Sequence, residues 1–398
     1  MKLNIGVFFG GRSCEHEISC ISASQVLKAI DQDKYNVIPI YLSKNNDFYV
    51  GEALWDISNY CDLNKLCASL DAVNIVKEQQ KVFLRKNKKS LFNKKDETID
   101  VALLVMHGNS GEDGCLQGML EIMGLPYTSS GVLGSAVAQD KIMQKYIFQA
   151  IGIPTVKGYA LDIFEFENDP EPFFNKNEEL HYPVIIKPSS LGSSIGITIA
   201  HNKEEFEEKV KEAGEFDFKL LVEAFIENFK EINCSVLGNF KAADASILEE
   251  VYKNEVILDF KDKYLGNGKT KLKGAKTAPL KATATKNTGM VSANRNIPAN
   301  INQQETKLIQ EYALKAYRHL NCGGVVRIDF IYNQDNQKIY LNEVNNIPGS
   351  LAFYLWQHQG IDFTKLIDLM ISKALDNYRY KERKTYSFDT DILANFKK

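Results

Sequence analysis

Val325-Val326-Arg327-Ile328-Asp329-Phe330-Ile331, with Ile339-Tyr340-Leu341-Asn342-Glu343-Val344-Asn345 close behind it, alternates side chains with the period of an extended strand. Arg327 and Asp329 fall on one face, while Val326, Ile328 and Phe330 fall on the other. Glu343 and Asn345 share a face in the same way. Paired as a hairpin, the two strands bring together two carboxylates, an amide oxygen and a guanidinium. Hard oxygen donors of this kind suit Mg²⁺ together with nucleotide phosphates, and Arg327 would then stand beside a transferring phosphoryl group. The same pattern also fits a solvated sheet face with one Arg–Asp pair.

Upstream, Ile185-Ile186-Lys187-Pro188 ends an apolar strand in lysine, and Ser189-Ser190-Leu191-Gly192-Ser193-Ser194-Ile195-Gly196 follows as a small-residue turn. Such a turn presents backbone N–H groups to phosphate oxygens, with the lysine adding charge. It lacks the GxxxxGK[ST] order of a P-loop and also fits a plain hairpin with a surface lysine. Gly10-Gly11-Arg12-Ser13 follows the first strand, where doubly wound folds bind ligands, but without GxGxxG. Glu15 and Glu17 lie in the first helical turn, which ordinary capping also explains. His107-Gly108-Asn109-Ser110-Gly111-Glu112-Asp113-Gly114 is another loop at a strand's carboxyl end.

The first third reads as βαβ: strand Asn4–Phe9, helix Ile18–Ile30, strands Val37–Leu42 and Val101–Met106, and a helix stopped at Gly124. This rhythm predicts an open, mostly parallel sheet over a domain of residues 1–130. Residues 45–95 are polar and lysine-rich and carry no readable function. A second unit, 131–220, holds a helix over Ser135–Ala150, the strand Tyr182–Lys187, its return Gly196–Ala200, and the helix Glu204–Lys211. A third, 221–375, opens with the strand Leu220–Glu223 and holds the strands Glu231–Leu237, Gly324–Tyr332 and Lys338–Val344, with a helix near Gln304–Leu320. Lys261–Asn300, with almost no apolar residues, is expected to be a long mobile loop, and the tail 376–398 is charged.

The 398 residues are 44% hydrophobic and 25% charged, with a formal net charge of −3. That suits two or three globular domains and gives no electrostatic case for nucleic acid or a membrane surface, so the partners expected are small molecules. The apolar run Ile5–Phe9 is too short for a secretory segment, and no run reaches the roughly 18 residues of a membrane span. The seven cysteines form no CxxC pair; reduced thiols in a cytoplasmic protein are expected, with no zinc site or disulfide framework.

Taken in order, these segments resemble the D-alanine–D-alanine ligases of the ATP-grasp superfamily. The run from Gly10 to Ser19, the run His107–Thr128, Asp140-Lys141, Lys187-Pro188, Gly192-Ser193-Ser194, Arg327-Ile328-Asp329 and Asn342-Glu343-Val344-Asn345 with Pro348-Gly349 carry the likeness. It implies an α/β (α+β) ATP-grasp architecture in which two subdomains sandwich ATP, and a cytoplasmic, homodimeric enzyme that makes a peptidoglycan precursor dipeptide. By position it implies that Glu15 orients the first substrate's amine, completed by Ser193 and Tyr264, with His107 among the substrate-binding residues. Lys141, Lys187 and Lys263 would hold phosphates. Glu223 and Glu231 would bind adenine and ribose, with Ala224 and Ile226 lining the adenine pocket. Asp329, Glu343 and Asn345 would hold two Mg²⁺ ions, or Mn²⁺, and Arg327 with the Gly349 amide would stabilise the tetrahedral intermediate. The chain departs from the family at Tyr354, which stands where a serine is usual for the second substrate's carboxylate, and in the length of its loop. Three readings therefore stay beside the leading one: a ligase with another acceptor, a nucleotide-binding ATP-grasp protein without turnover, and, disfavoured by the missing GxGxxG, a dehydrogenase.

Overall fold

The computed structural model describes residues 2–87, 96–252 and 295–387, together with Ile392 and Phe396. Lys263, Tyr264 and the expected loop as far as residue 294 lie outside the described residues.

The first sheet runs β6-β5-β4-β3-β2-β1-β7. Its strands are β1 (Leu3–Gly10), β2 (Tyr35–Leu42), β3 (Phe48–Val50), β4 (Asp71–Glu78), β5 (Lys81–Lys86), β6 (Glu97–Ile99) and β7 (Val101–Leu104). Only β2, β1 and β7 pair in parallel; β3 to β6 extend the sheet antiparallel, so the mostly parallel sheet expected from sequence is a mixed one. The extension comes from the stretch that carried no readable signal. Val73, Ile75, Val82 and Leu84 are buried there while their neighbours meet solvent, the alternation of a sheet packed on one face.

The second sheet runs β10-β9-β11-β8, from β8 (Gly158–Asp162), β9 (Val184–Pro188), β10 (Thr198–Ala200) and β11 (Lys219–Ala224). The sequence placed β11 at the opening of the third unit. It belongs to the second, because Leu220 and Val222 fill one core with Leu161, Val184 and Ile186. The single helix expected over Ser135–Ala150 is two, Val132–Gln139 and Lys141–Ala150. Asp140 breaks it: its carboxylate accepts Ile142 N at 2.9 Å and Met143 N at 3.0 Å, a cap of about 1 kcal/mol.

The third sheet runs β14-β13-β12-β15-β16, from β12 (Phe229–Gly238), β13 (Ala243–Val251), β14 (Arg295–Asn296), β15 (Gly324–Asn333) and β16 (Ile339–Asn345). Ile232, Cys234, Val326, Ile328, Phe330, Leu341 and Val344 form its core with the helix Gln303–His319. The opposite face is left to polar side chains. Arg295–Asn300, expected as loop, is ordered: β14 pairs with β13, and Ala299 N donates to Leu248 O at 2.9 Å. The helix Phe363–Lys381 runs into the expected tail and sinks Leu366, Ile367, Met370, Ile371 and Ala374 into the core of the first sheet, an amphipathic stripe. Among the described residues no helix is long and apolar enough to cross a membrane.

Candidate active site

On β15 and β16 Arg327 lies opposite Asn345 and Asp329 opposite Glu343. The register slips between Asp329 and Phe330, so that Phe330 faces Leu341 and Asn342 is the extra residue. Leu341 and Val344 both enter the core, and the bulge accommodates both Asn342 and Glu343 between them. Arg327 donates to both oxygens of Asp329, each at 2.7 Å, and Asn345 Nδ2 donates to Asp329 at 2.9 Å. Burial pushes the Asp329 carboxyl up against the opposing pull of Arg327. Burial also works against the Arg327 charge, but Asp329 outweighs it and the guanidinium stays charged.

Three lysines approach this face from the second unit. Lys141 Nζ stands 3.5 Å from Glu343 and donates to the Leu191 carbonyl of the serine turn. Lys187 Nζ donates to Asn342 Oδ1 at 3.0 Å and to Glu223 at 2.7 Å. Lys145, one helical turn after Lys141, donates to the other Glu223 oxygen at 2.5 Å and to the Val156 carbonyl. Lys141, Lys145, Lys187 and Glu223 are all buried. Burial alone would raise the Glu223 carboxyl, but Lys187 and Lys145 together carry it below its ordinary value.

The remaining side of the site comes from the first unit. Glu15 is buried at the start of the helix His16–Ala29, and Ser193 Oγ donates to it across the interface. A Cβ at Gly192 would come 2.8 Å from the Glu15 carboxylate, so the serine turn closes on Glu15 only because that position is glycine. His107 is buried, with Nε2 3.0 Å from Ser22 Oγ; burial brings it down to about 4, against the opposing pull of the Ile347 backbone. Glu112 accepts Gly108 N at 2.7 Å and Ile347 N at 2.8 Å, and burial, with the Glu15 charge adding, pushes its carboxyl up to about 8. Gly349 begins the turn Gly349–Ala352, and Ser350 N donates to Ser22 Oγ at 3.1 Å.

The family description "D-ala D-ala ligase N-terminus" matches residues 4–130, and "D-ala D-ala ligase C-terminus" matches residues 147–288 and 280–372. The chain is 41% identical to a D-alanine–D-alanine ligase of Thermosipho melanesiensis over 98% of each sequence. The chain belongs to the D-alanine–D-alanine ligase family. Its fold is similar to that of the D-alanine–D-alanine ligase of Coxiella burnetii, with a TM-score of 0.77, 27% identity and 96% of each chain covered. It is also similar to the VanG D-Ala:D-Ser ligase of Enterococcus faecalis, with a TM-score of 0.74, 27% identity, and 95% of this chain and 100% of that one covered. It is therefore an ADP-forming ligase on the ATP-grasp fold, and its family is ATP-dependent.

Of the residues singled out in the sequence, Glu15 and Ser193 meet each other, and Lys141, Lys187, Glu223, Glu343, Asp329, Asn345 and Arg327 gather on one polar face. Ala224 ends β11 and Ile226 follows it, while Glu231 lies on β12 opposite Ile331 of β15. His107 reaches the turn that Gly349 begins through Ser22, which accepts from Ser350 N rather than from Gly349. Sequence reasoning passed over Lys145, whose i+4 spacing from Lys141 is its one signal, and Glu112, quoted only as part of a loop. It also missed Glu249 and Arg295: β13 was not read as a strand, and Arg295 fell in the expected loop.

Proposed function

We propose that the chain joins two D-alanine molecules in the cytoplasm, supplying a dipeptide for cell-wall precursor synthesis. ATP phosphorylates the carboxylate of the first D-alanine, giving an acyl phosphate and ADP. The amine of the second then attacks the acyl carbon, loses a proton, and phosphate leaves. Phosphate, carboxylate and nucleotide repel one another, so the step needs cations in a water-poor site. What supports this reading is one convergence: Lys187 joins Glu223 to Asn342, Lys141 reaches Glu343, and Ser193 reaches Glu15.

In this reading Glu15 holds the donor's ammonium and Ser193 holds Glu15. Lys141 and Lys187 bind phosphate oxygens, with Lys263 and Tyr264 assigned by the resemblance alone. Glu223, with Ala224, Ile226 and Glu231, takes the adenosine end. Arg327 and the Gly349 amide meet the oxyanion, and His107 steadies the substrate-facing turn. Two carboxylates and an amide oxygen, from Asp329, Glu343 and Asn345, form a donor set that fits Mg²⁺ alongside phosphate oxygens, although among the described residues no three His, Cys, Asp or Glu gather as a metal cluster by themselves. Bound there, Mg²⁺ would neutralise phosphate charge.

The test is phosphate release from ATP and Mg²⁺ across a panel of D- and L-amino acids. Release with D-alanine alone supports the proposal, and release only with other pairs overturns it. A second reading, D-alanine joined to a different acceptor, is favoured by Tyr354 and by the likeness to the VanG D-Ala:D-Ser ligase. Dipeptide analysis with D-alanine and D-serine together separates the two.

A further inference from the structure

Lys187 lies opposite Leu221 and Glu223 opposite Ile185, so lysine and glutamate are diagonal neighbours on one face of the second sheet. That face is turned away from the core that Ile186, Leu220 and Val222 fill. Lys145 arrives over it from the helix Lys141–Ala150, so each oxygen of Glu223 has its own ammonium: Lys145 on Oε1 at 2.5 Å and Lys187 on Oε2 at 2.7 Å. The three side chains keep only 6%, 8% and 7% of their surface. Two cations on one buried carboxylate leave an excess positive charge, which is costly away from water, so an anion is expected to share one of them. The two lysines differ in what else they hold. Lys145 donates to the Val156 carbonyl, in a loop that is itself fixed, since Leu341 N donates to Pro154 O at 2.9 Å. Lys187 donates to Asn342 Oδ1 at 3.0 Å, the bulge residue beside Glu343, and is thereby turned toward the hairpin.

We propose that Lys145 is a positioning residue for the nucleotide: it neutralises Glu223 and thereby releases Lys187 to the phosphate chain. The role rests on the proposed function, in which Lys187 binds phosphate and Glu223 takes the adenosine end. An ammonium has three donors, and Lys187 uses two of them on Glu223 and Asn342. A phosphate chain arriving beside Asn342 takes the third and draws the lysine's charge away from Glu223. Were Lys187 the sole counter-charge, that movement would strip a buried carboxylate, and the penalty would be set against ATP binding. Lys145 removes the penalty, because it stays on Glu223 wherever Lys187 goes. One helix face thus divides two tasks. Lys141 reaches Glu343 and the serine turn, and Lys145, one turn later, stays on the carboxylate.

The experiment measures the dissociation constants of ATP with Mg²⁺ and of adenosine by titration calorimetry, without D-alanine so that nothing turns over. Adenosine reads the Glu223 end alone, and the ratio of the two constants reads what the phosphates add. Lys145→Met is expected to weaken ATP about tenfold and to leave adenosine within about twofold, so the advantage of ATP over adenosine shrinks about tenfold or slightly less. A lysine that merely props the pocket would weaken both ligands alike, and an unchanged ratio overturns the proposal. Glu223→Gln removes the charge that calls for a second cation. Adding Lys145→Met to it is therefore expected to leave the ratio where Glu223→Gln alone puts it. Neither of these last two variants buries a bare carboxylate, so they carry the test if Lys145→Met alone fails to fold. A further loss of about tenfold in the double variant places Lys145 on the phosphates itself and overturns the proposal. A wild type that binds ATP no tighter than adenosine overturns the phosphate-binding reading, and the exchange of lysines with it.

Discussion

Glu343→Gln separates the chemistry of this site from its stability. The Glu343 side chain keeps 22% of its surface, and Lys141 Nζ stands 3.5 Å from it. With Lys141 at 9% and Glu343 at 22% the pair is partly buried, but at 3.5 Å it is a loose contact and glutamine keeps the shape, so the unfolding free energy should fall by about 1–2 kcal/mol. If Glu343 faces the phosphates as proposed, removing its charge acts differently on the rate. Lost transition-state charge stabilisation of about 3–4 kcal/mol corresponds to roughly 10²–10³ in rate. The assay is phosphate release from saturating ATP, Mg²⁺ and D-alanine, with urea unfolding run on the same preparation. Retention of a tenth or more of the turnover would refute the placement of Glu343 at the phosphates. A stability loss large enough to explain the missing activity would refute it equally.

Lys145→Met removes one of the two cations on a buried carboxylate; Lys187 remains, so a loss of about 3 kcal/mol, the low end for a broken buried pair, is expected in urea unfolding, with ATP KM up about tenfold. Unchanged ATP KM would remove Glu223 from the nucleotide site. Ser193→Ala should raise the KM of the donor D-alanine about tenfold and leave that of ATP alone, since the serine bonds Glu15. Burial holds His107 near 4, below the ordinary 6.5, so between those values the unfolded chain binds more protons. Stability from this group is full above about pH 6.5 and falls by about 3 kcal/mol as pH drops to 4. The wild-type minus His107→Gln difference in unfolding free energy should follow that curve, and a flat difference would rule it out.

The hairpin was legible because alternation along β15 and β16 assigns each side chain a face before any partner is known. The bulge was not: a register slip at Asn342 is set by which of Leu341 and Val344 the core accepts, and that core includes the distant helix Gln303–His319. The split at Asp140 was hidden for a related reason. Ser135–Ala150 has helical propensity throughout, and the break appears only because the Asp140 carboxylate serves both as cap and as acceptor of Ser189 Oγ at 2.6 Å. The antiparallel strands of residues 45–95 escaped because lysines and asparagines on the solvated face dilute the apolar half of the alternation. β11 was assigned to the wrong sheet since an apolar strand carries no mark of its neighbours until the core is assembled.

The turn Gly349–Ala352 shows why the two ends of the chain must meet for the site to exist. Ser350, Leu351 and Ala352 all have left-handed backbones, with φ of 53°, 53° and 48°. Each such non-glycine residue costs about 1–3 kcal/mol, so the turn does not hold itself. It is held from outside. Leu351 and Ala352 are fully buried, Ser350 N donates to Ser22 Oγ of the first helix, and Ile347 N donates to Glu112. Ser22 and Glu112 also grip His107 and Gly108, the loop after β7. The loop after β7 and the turn Gly349–Ala352 are thereby locked to one another through two side chains of the first unit. In the proposed function these two segments flank the substrates, so a change at Ser22 or Glu112 is expected to shift both together.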